Sequence, residues 1–309
     1  MLRTVIFIVI GVLLTGILVL WLFGERWRPF RLSTWRLLRE GGLKRFFNFS
    51  FLHTYIYMRW TNQYVKILFS LPPPPPRPKP RSKTWLSDHY HGKVLTPEHA
   101  HMIINLNHDI SLRDLEQVIP YPVARDLILK GPPDVVVYEC ACRHAQPNPC
   151  KPTQVCMIVG QPFTDFVLEH NPQSSRRLTQ AEALELLEAE YKRGHLHSAW
   201  FKDAMLDRFY AICNCCKCCC GGINAMARYG IPMMVSSGYI AKVDETSCTA
   251  CGTCVGSCAF GVLSLNEVSK VNWEKCMGCG VCVGQCTSEA MSLVRDEKKG
   301  IPLDVRLLS

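Results

Sequence analysis

The chain has 309 residues, 48% hydrophobic and 20% charged, proportions of a folded protein and not of a disordered tail. Its net charge of +9 belongs to one end: residues 1–83 carry 14 Lys/Arg against two Asp/Glu, a net +12, while residues 84–309 come to −3. That distribution disfavours nucleic-acid binding by the main body, and eighteen cysteines bunched in short arrays argue for metal over the spaced disulfides of a small secreted domain.

Thr4 to Gly24 contain no charged side chain, and Val5 to Phe23 is an almost purely apolar run of 19 residues. As a helix it measures about 28 Å, near the hydrocarbon thickness of a bilayer. Residues 1–24 therefore read as a transmembrane anchor. A cleaved signal peptide is the competing reading, but it would have a shorter apolar core and a small-x-small site. Arg26, Arg28, Arg31, Arg36, Arg39, Lys44 and Arg45 crowd one side against Arg3 alone on the other. Positive-inside bias then predicts a single-pass protein of the cell inner membrane with its body in the cytoplasm. Trp21, Trp27 and Trp35 fit an aromatic belt.

Residues 25–71 form a basic, aromatic juxtamembrane segment. Phe46 to Leu71, interrupted by His53, Arg59 and Lys66, reads as helix lying at the membrane interface. An ordinary helix packed on the body is the alternative. Residues 72–83, with five consecutive prolines from Pro72 to Pro76, read as an extended polyproline linker.

A cysteine-rich domain is expected over residues 84–235. His89, His91, His99, His101 and His108 match no metal or haem spacing and read as scattered surface and turn histidines. Tyr121 to Lys130 has helical spacing, Asp134 to Glu139 reads as a β-branched strand leading to Cys140, and Thr179 with Glu182 forms a capping box opening a helix that Gly194 stops. Ten cysteines stand here in two groups: Cys140, Cys142, Cys150 and Cys156, then Cys213, Cys215, Cys216, Cys218, Cys219 and Cys220. Neighbouring cysteines rarely pair with each other, and in a reducing cytoplasm they would prefer metal. An additional iron–sulfur centre is preferred, then zinc, then redox-active thiols. Arg143 could lower a thiolate pKa or donate to sulfide, or be an exposed salt-bridging arginine.

Residues 236–300 carry an internal repeat. Cys248, Cys251, Cys254 and Cys258 recur 28 residues later as Cys276, Cys279, Cys282 and Cys286, and Ala241–Asp244 repeats as Ser269–Asn272. Both runs read C-x2-C-x2-C-x3-C. Three thiolates at this spacing wrap one face of a cubane, and the fourth ligates the opposite cluster. Two zinc sites are the alternative, but zinc ribbons pair C-x2-C units across a longer gap.

Residues 240–294 resemble the bacterial two-cluster ferredoxins. The resemblance implies two [4Fe–4S] clusters, one held by Cys248, Cys251, Cys254 and Cys286, the other by Cys276, Cys279, Cys282 and Cys258. It also implies a small pseudo-twofold domain of two short hairpins and two short helices. The family's proline after each fourth cysteine is replaced by Ala259 and Thr287, which bears on geometry and potential and not on ligation. Residues 120–225 resemble uncharacterised ferredoxin-like proteins with C-x-C-R and C-N-C-C-x-C-C-C segments ahead of such a module.

The expected fold is thus α+β: a single N-terminal transmembrane helix, a cysteine-rich α+β body and a C-terminal ferredoxin-like two-cluster domain. The expected function is electron transfer by a membrane-anchored iron–sulfur protein, a subunit or partner of a redox complex. Its partners would be redox proteins and the membrane, with no nucleic acid. The alternatives are an oxidoreductase whose Cys140–Cys220 region forms a catalytic cluster or dithiol fed by the ferredoxin module, and a cluster scaffold that hands its cluster to an acceptor.

Overall fold

The computed structural model describes residues 2–24, 31–47, 50–70 and 85–308. The proline-rich linker at 72–83 lies outside them, as do Trp27 and the basic residues at 26 and 28.

Helices α1 (Leu2–Gly24), α2 (Leu32–Phe47), α3 (Ser50–Arg59) and α4 (Thr61–Ser70) precede the body. In α1 the side chains from Ile6 to Val19 are exposed, a stretch of roughly 21 Å at the helical rise. No helix among the described residues is long and apolar enough to cross a membrane. The expected transmembrane helix, and with it the single-pass inner-membrane placement, is corrected on that finding.

The neighbouring expectations change with it. Trp21 sits 6.2 Å from the Tyr55 ring, so it packs on α3 and not in an aromatic belt. Arg36 pairs with Asp165 and Arg45 with Asp207, so these cations meet acidic side chains of the body and not lipid headgroups. Tyr55, Tyr57 and Met58 of α3 are buried in a core of the body. That helix is the packed alternative and not the interfacial one.

The body continues with α5 (Trp85–His89), β1 (Tyr90–Leu95), α6 (Pro97–Ile104), β2 (Ile110–Leu112), β3 (Leu127–Leu129), β4 (Val135–Glu139), α7 (Ala141–His144) and β5 (Gln154–Val159). Next come α8 (Phe163–His170), β6 (Ser175–Leu178), α9 (Gln180–Lys192), β7 (Leu196–Lys202), β8 (Arg208–Cys215), α10 (Gly221–Tyr229) and β9 (Met234–Val235). Seven strands form one sheet in the order β6-β4-β5-β8-β7-β1-β9, antiparallel except where β9 runs parallel to β1.

Strand alternation sends side chains to two faces. Val135 and Val137 join Ile103 of α6 and Leu187 of α9 on one side, while Val136 and Tyr138 join Tyr55 of α3 and Phe166 of α8 on the other. The sheet is therefore covered on both faces, which suits its long apolar strands.

The capping box forms as read: Glu182 N donates to Thr179 Oγ1, and Thr179 N donates to the Glu182 carboxylate. Tyr121–Lys130 does not become a helix. Pro122 disfavours helix in the residue before it, and Leu127–Leu129 pairs with Ile110–Leu112 as a short ribbon. His91 and His99 are buried and not on the surface. His91 places its ring nitrogens 2.9 and 3.0 Å from the Ser87 and Ala124 carbonyls.

The C-terminal unit has β10 (Tyr239–Val243), α11 (Thr253–Ser257), β11 (Leu263–Leu265), β12 (Ser269–Val271), α12 (Val281–Gly284) and β13 (Met291–Arg295). β10 pairs with β13 and β11 with β12, both antiparallel. Two helices and two ribbons are present, but only β11–β12 is a hairpin; the other ribbon joins the two ends of the unit. Past it, Leu303 and Val305 return to the body's core.

Candidate metal centres

Strand direction collects the upstream cysteines. β4 runs antiparallel to β5, and β5 to β8, so the end of β4, the start of β5 and the end of β8 share one end of the sheet. Cys140 follows β4, Cys156 pairs with Tyr138 near the start of β5, and Cys213 and Cys215 close β8. Cys142 stands in α7, which Cys140 caps, and Cys220 caps α10.

Six of these thiols line one cavity and act on one another's protons in a single chain, Cys142–Cys140–Cys156–Cys213–Cys215–Cys220. Hydrogen bonds from Cys142 and Cys156 hold the Cys140 thiol well below its ordinary value, and those from Cys213 and Cys220 do the same for Cys215. Cys142 and Cys156 are pushed up by their bonds to Cys140, and Cys220 by its bond to Cys215. Sulfurs crowded this closely share little negative charge without a cation among them, so the donor set is fitted to soft metal.

The other four form a separate group. One ligand atom from each of Cys150, Cys216, Cys218 and Cys219 lies within 4.8 Å of the rest, a four-thiol set able to hold a metal ion. The Cys150 and Cys218 sulfurs touch, but their Cα atoms are 7.6 Å apart. A disulfide wants about 4.4–6.8 Å, so the spacing suits two ligands of one site. Burial pushes Cys216 up to about 11, and a metal binding there would displace its proton.

Arg143, with the alternatives left open above, is fully buried. It donates to the Pro152 carbonyl beside the Cys150 loop, to the Asn214 carbonyl between Cys213 and Cys215 at 3.3 Å, and to Glu190 of α9 at 2.9 Å. One guanidinium thus ties together the segments that carry both cysteine groups. Its Nε has no partner among the described residues, a donor left over for sulfur or sulfide.

In the C-terminal unit the two cysteine runs exchange their last members. One hollow is lined by Cys248, Cys251 and Cys254 together with Cys286; a second is lined by Cys276, Cys279 and Cys282 together with Cys258. Four soft donors around each hollow fit an iron–sulfur cube, which changes charge by one electron without rearranging bonds. Protein donors reach the sulfurs: Ser269 Oγ lies 3.1 Å from Cys254 Sγ, Val262 N donates to Cys258 Sγ at 3.4 Å, and Ala241 N to Cys276 Sγ at 3.5 Å.

The hollows differ in setting. Cys251 is exposed and Cys248 and Cys286 are half-buried in the first, whereas Cys258, Cys276 and Cys282 are buried in the second. The second faces the body: Tyr191 Oη donates to the Gly280 carbonyl at 3.0 Å, and Met277, Cys279 and Val281 pack with the same core as Cys215 and Cys220. Burial there pushes Cys279 up to about 12.

A family model described as a 4Fe-4S binding domain matches residues 269–292. This end of the chain is a ferredoxin-type iron–sulfur domain. With the cysteine groups upstream, it makes the chain an iron–sulfur electron-transfer protein with at least one [4Fe–4S] cluster. No curated protein matches the chain.

Sequence reading grouped the ten upstream cysteines by position along the chain, but the structure divides them four and six across both groups. It also passed over Tyr57, Tyr90 and Tyr210, which meet beside the six thiols with the Tyr57 and Tyr210 hydroxyls 2.7 Å apart. Nothing local marks those tyrosines. Only the sheet brings them together.

Proposed function

We propose that the chain relays single electrons between redox partner proteins through two [4Fe–4S] clusters, one on Cys248, Cys251, Cys254 and Cys286, the other on Cys276, Cys279, Cys282 and Cys258. A third centre on Cys150, Cys216, Cys218 and Cys219 belongs to the same relay. The observation that carries this reading is the exchange of Cys258 and Cys286 between the two hollows, an arrangement with no use in two independent zinc knots.

Full-length protein prepared without oxygen should hold at least about eight irons per chain and give reducible [4Fe–4S] spectra. Cys258→Ser should alter the spectrum of the cluster that Cys276→Ser alters, and not that of Cys248→Ser. A preparation loaded with zinc and free of iron, or Cys258→Ser tracking Cys248→Ser, would sink the reading.

A second reading, an oxidoreductase fed by this relay, draws on one observation: a cavity of about 1190 Å³ lies against the upstream thiols.

A further inference from the structure

The register of the sheet arranges six cysteines around one space. Met157 of β5 pairs with Ile212 of β8, and the next step of that antiparallel ladder sets Cys156 opposite Cys213, a cross-strand relation that holds Cβ atoms about 4.5–5.5 Å apart. Cys215 lies two residues beyond Cys213 and so on the same face of β8. Cys140 joins Cys156 from the end of β4, where its N–H donates to the Thr153 carbonyl at 2.8 Å. The chain Cys142–Cys140–Cys156–Cys213–Cys215–Cys220 thus runs unbroken through its middle. Its ends approach as well: Cys142 Sγ stands 3.5 Å from the place a Cβ would take on Gly221, the residue after Cys220. The six thiols form a ring on the wall of the 1190 Å³ cavity.

A single ion and a cluster hold their ligands at different distances. One tetrahedral ion with metal–sulfur bonds of about 2.3 Å keeps its thiolates about 3.8 Å from one another. Among the described residues, Cys150, Cys216, Cys218 and Cys219 are the one group of three or more ligand atoms all within 4.8 Å of each other; no three of the ring thiols come that close together. The ferredoxin thiols, whose hollows fit a cube, are also spread more widely than that. The ring therefore has the spacing of a cluster, with iron and sulfide filling its middle. Its six ligands exceed the four of an ordinary cube. Cations also stand ready for the negative charge of such a cluster: Arg143, whose Nε has no partner among the described residues, and Arg228 line the cavity against a single carboxylate, Glu139.

We propose that Cys140, Cys142, Cys156, Cys213, Cys215 and Cys220 together hold one polynuclear iron–sulfur cluster, distinct from the two ferredoxin cubes and from the four-thiol group. The proposal rests on the chain being an iron–sulfur electron-transfer protein and adds a cluster to it. The place suits electron supply from the hollow on Cys276, Cys279, Cys282 and Cys258, because Met277, Cys279 and Val281 pack in the same core as Cys215 and Cys220.

The test uses full-length protein prepared anaerobically, with iron and acid-labile sulfide counted per chain. Wild type should carry sulfide clearly above the roughly eight of two cubes, and Cys150→Ala/Cys219→Ala should keep that excess. Cys142 and Cys213 stand three steps apart in the ring. Cys142→Ala and Cys213→Ala should each remove the whole excess while the ferredoxin spectra persist, and the double variant should remove no more than either alone. Paramagnetic resonance of reduced wild type should show one cluster signal beyond the ferredoxin pair, altered by both single variants. The proposal is overturned by a wild type whose sulfide stops at about eight, whether or not the ring variants fold. It is equally overturned by an excess that disappears in Cys150→Ala/Cys219→Ala, or by single variants that remove different parts of the excess and add up in the double. Wild type without any iron would bring down the electron-relay reading as well, whereas ferredoxin signals with no excess sulfide would bring down this proposal alone.

Discussion

Arg143 and Glu190 form an ion pair at 2.9 Å with side chains 1% and 0% exposed, directly behind the cysteine loops. Burial alone would push the Glu190 carboxyl up, but His195 and Arg143 beside it hold it below the usual carboxylate range. Such a pair is costly to break from one side, because the partner keeps its charge out of water.

Arg143→Ala should therefore destabilise the fold by about 3–5 kcal/mol and also lower the metal content of the upstream groups. Arg143→Lys should recover little of either, since one ammonium cannot span Pro152, Asn214 and Glu190 as a guanidinium fork does. Denaturant midpoints and metal analysis read the two effects separately. An Arg143→Lys protein with wild-type values for both would refute the bracing role.

Ser269 gives a test of the proposed cluster on Cys248, Cys251, Cys254 and Cys286, the outer of the two hollows, the one on Cys276, Cys279, Cys282 and Cys258 being the inner. Its hydroxyl lies 3.1 Å from Cys254 Sγ, and donors to sulfur favour the more negative, reduced cluster. Ser269→Ala should lower the potential of that cluster by on the order of tens of millivolts and leave the inner one unchanged. Spectroscopically monitored redox titration reads both. A rise, or a shift confined to the inner cluster, would contradict the assignment.

Gly278 is held by its surroundings. Its φ is +62°, and an added Cβ would stand 2.1 Å from the Tyr239 carbonyl oxygen. Backbone cannot retreat there cheaply, because Ser237 Oγ donates to Gly278 O at 2.7 Å and fixes the approach. Gly278→Ala should cost more than about 2 kcal/mol and loosen the loop carrying Cys276 and Cys279, whereas Gly256→Ala, where nothing lies within 4 Å, should be nearly silent. Equal effects of the two on thermal unfolding would argue against the packing described.

Lys93 is buried on β1, its Nζ donating to the Ile301 carbonyl at 2.7 Å, and burial, aided by Arg295, pulls it down to about 7. The unfolded chain keeps this lysine protonated up to about 10.5, so between pH 7 and 10.5 it binds more protons than the folded one, and stability rises with pH across that window. Below pH 7 the burial cost is present in full. Relative to Lys93→Met, wild type should gain as much as about 5 kcal/mol across the window, at about 1.4 kcal/mol per pH unit. Parallel stability profiles for the two proteins would dispose of the claim.

Features written in a few adjacent residues were legible without coordinates. The β-branched strand into Cys140, the Thr179–Glu182 cap and the 28-residue cysteine repeat each depend on local spacing, and each appears where the pattern placed it. Features that depend on distant partners were not. The apolar spacing of Tyr121–Lys130 suggested a helix because nothing in it announces the pairing of Leu127 with Leu112. The positive charge of Arg36 and Arg45 suggested the cytoplasmic flank of a membrane anchor because Asp165 and Asp207 lie more than a hundred residues away. The division of ten cysteines into four and six is likewise a product of strand order, which no spacing encodes.

Cys213 and Cys215 alternate along β8 with Asn214, whose Nδ2 donates to the Val155 carbonyl at 2.8 Å and whose Oδ1 meets His197 Nδ1 at 2.7 Å. A slip of β8 by a single residue would turn both thiols to the opposite face and break these bonds. The apolar interior of the sheet, which forbids such a slip, therefore also aims the sulfurs. Inserting or deleting one residue in the middle of β8 would disarm the crater without touching any cysteine, and so the spacing between metal donors is guarded by valines and phenylalanines that never meet the metal.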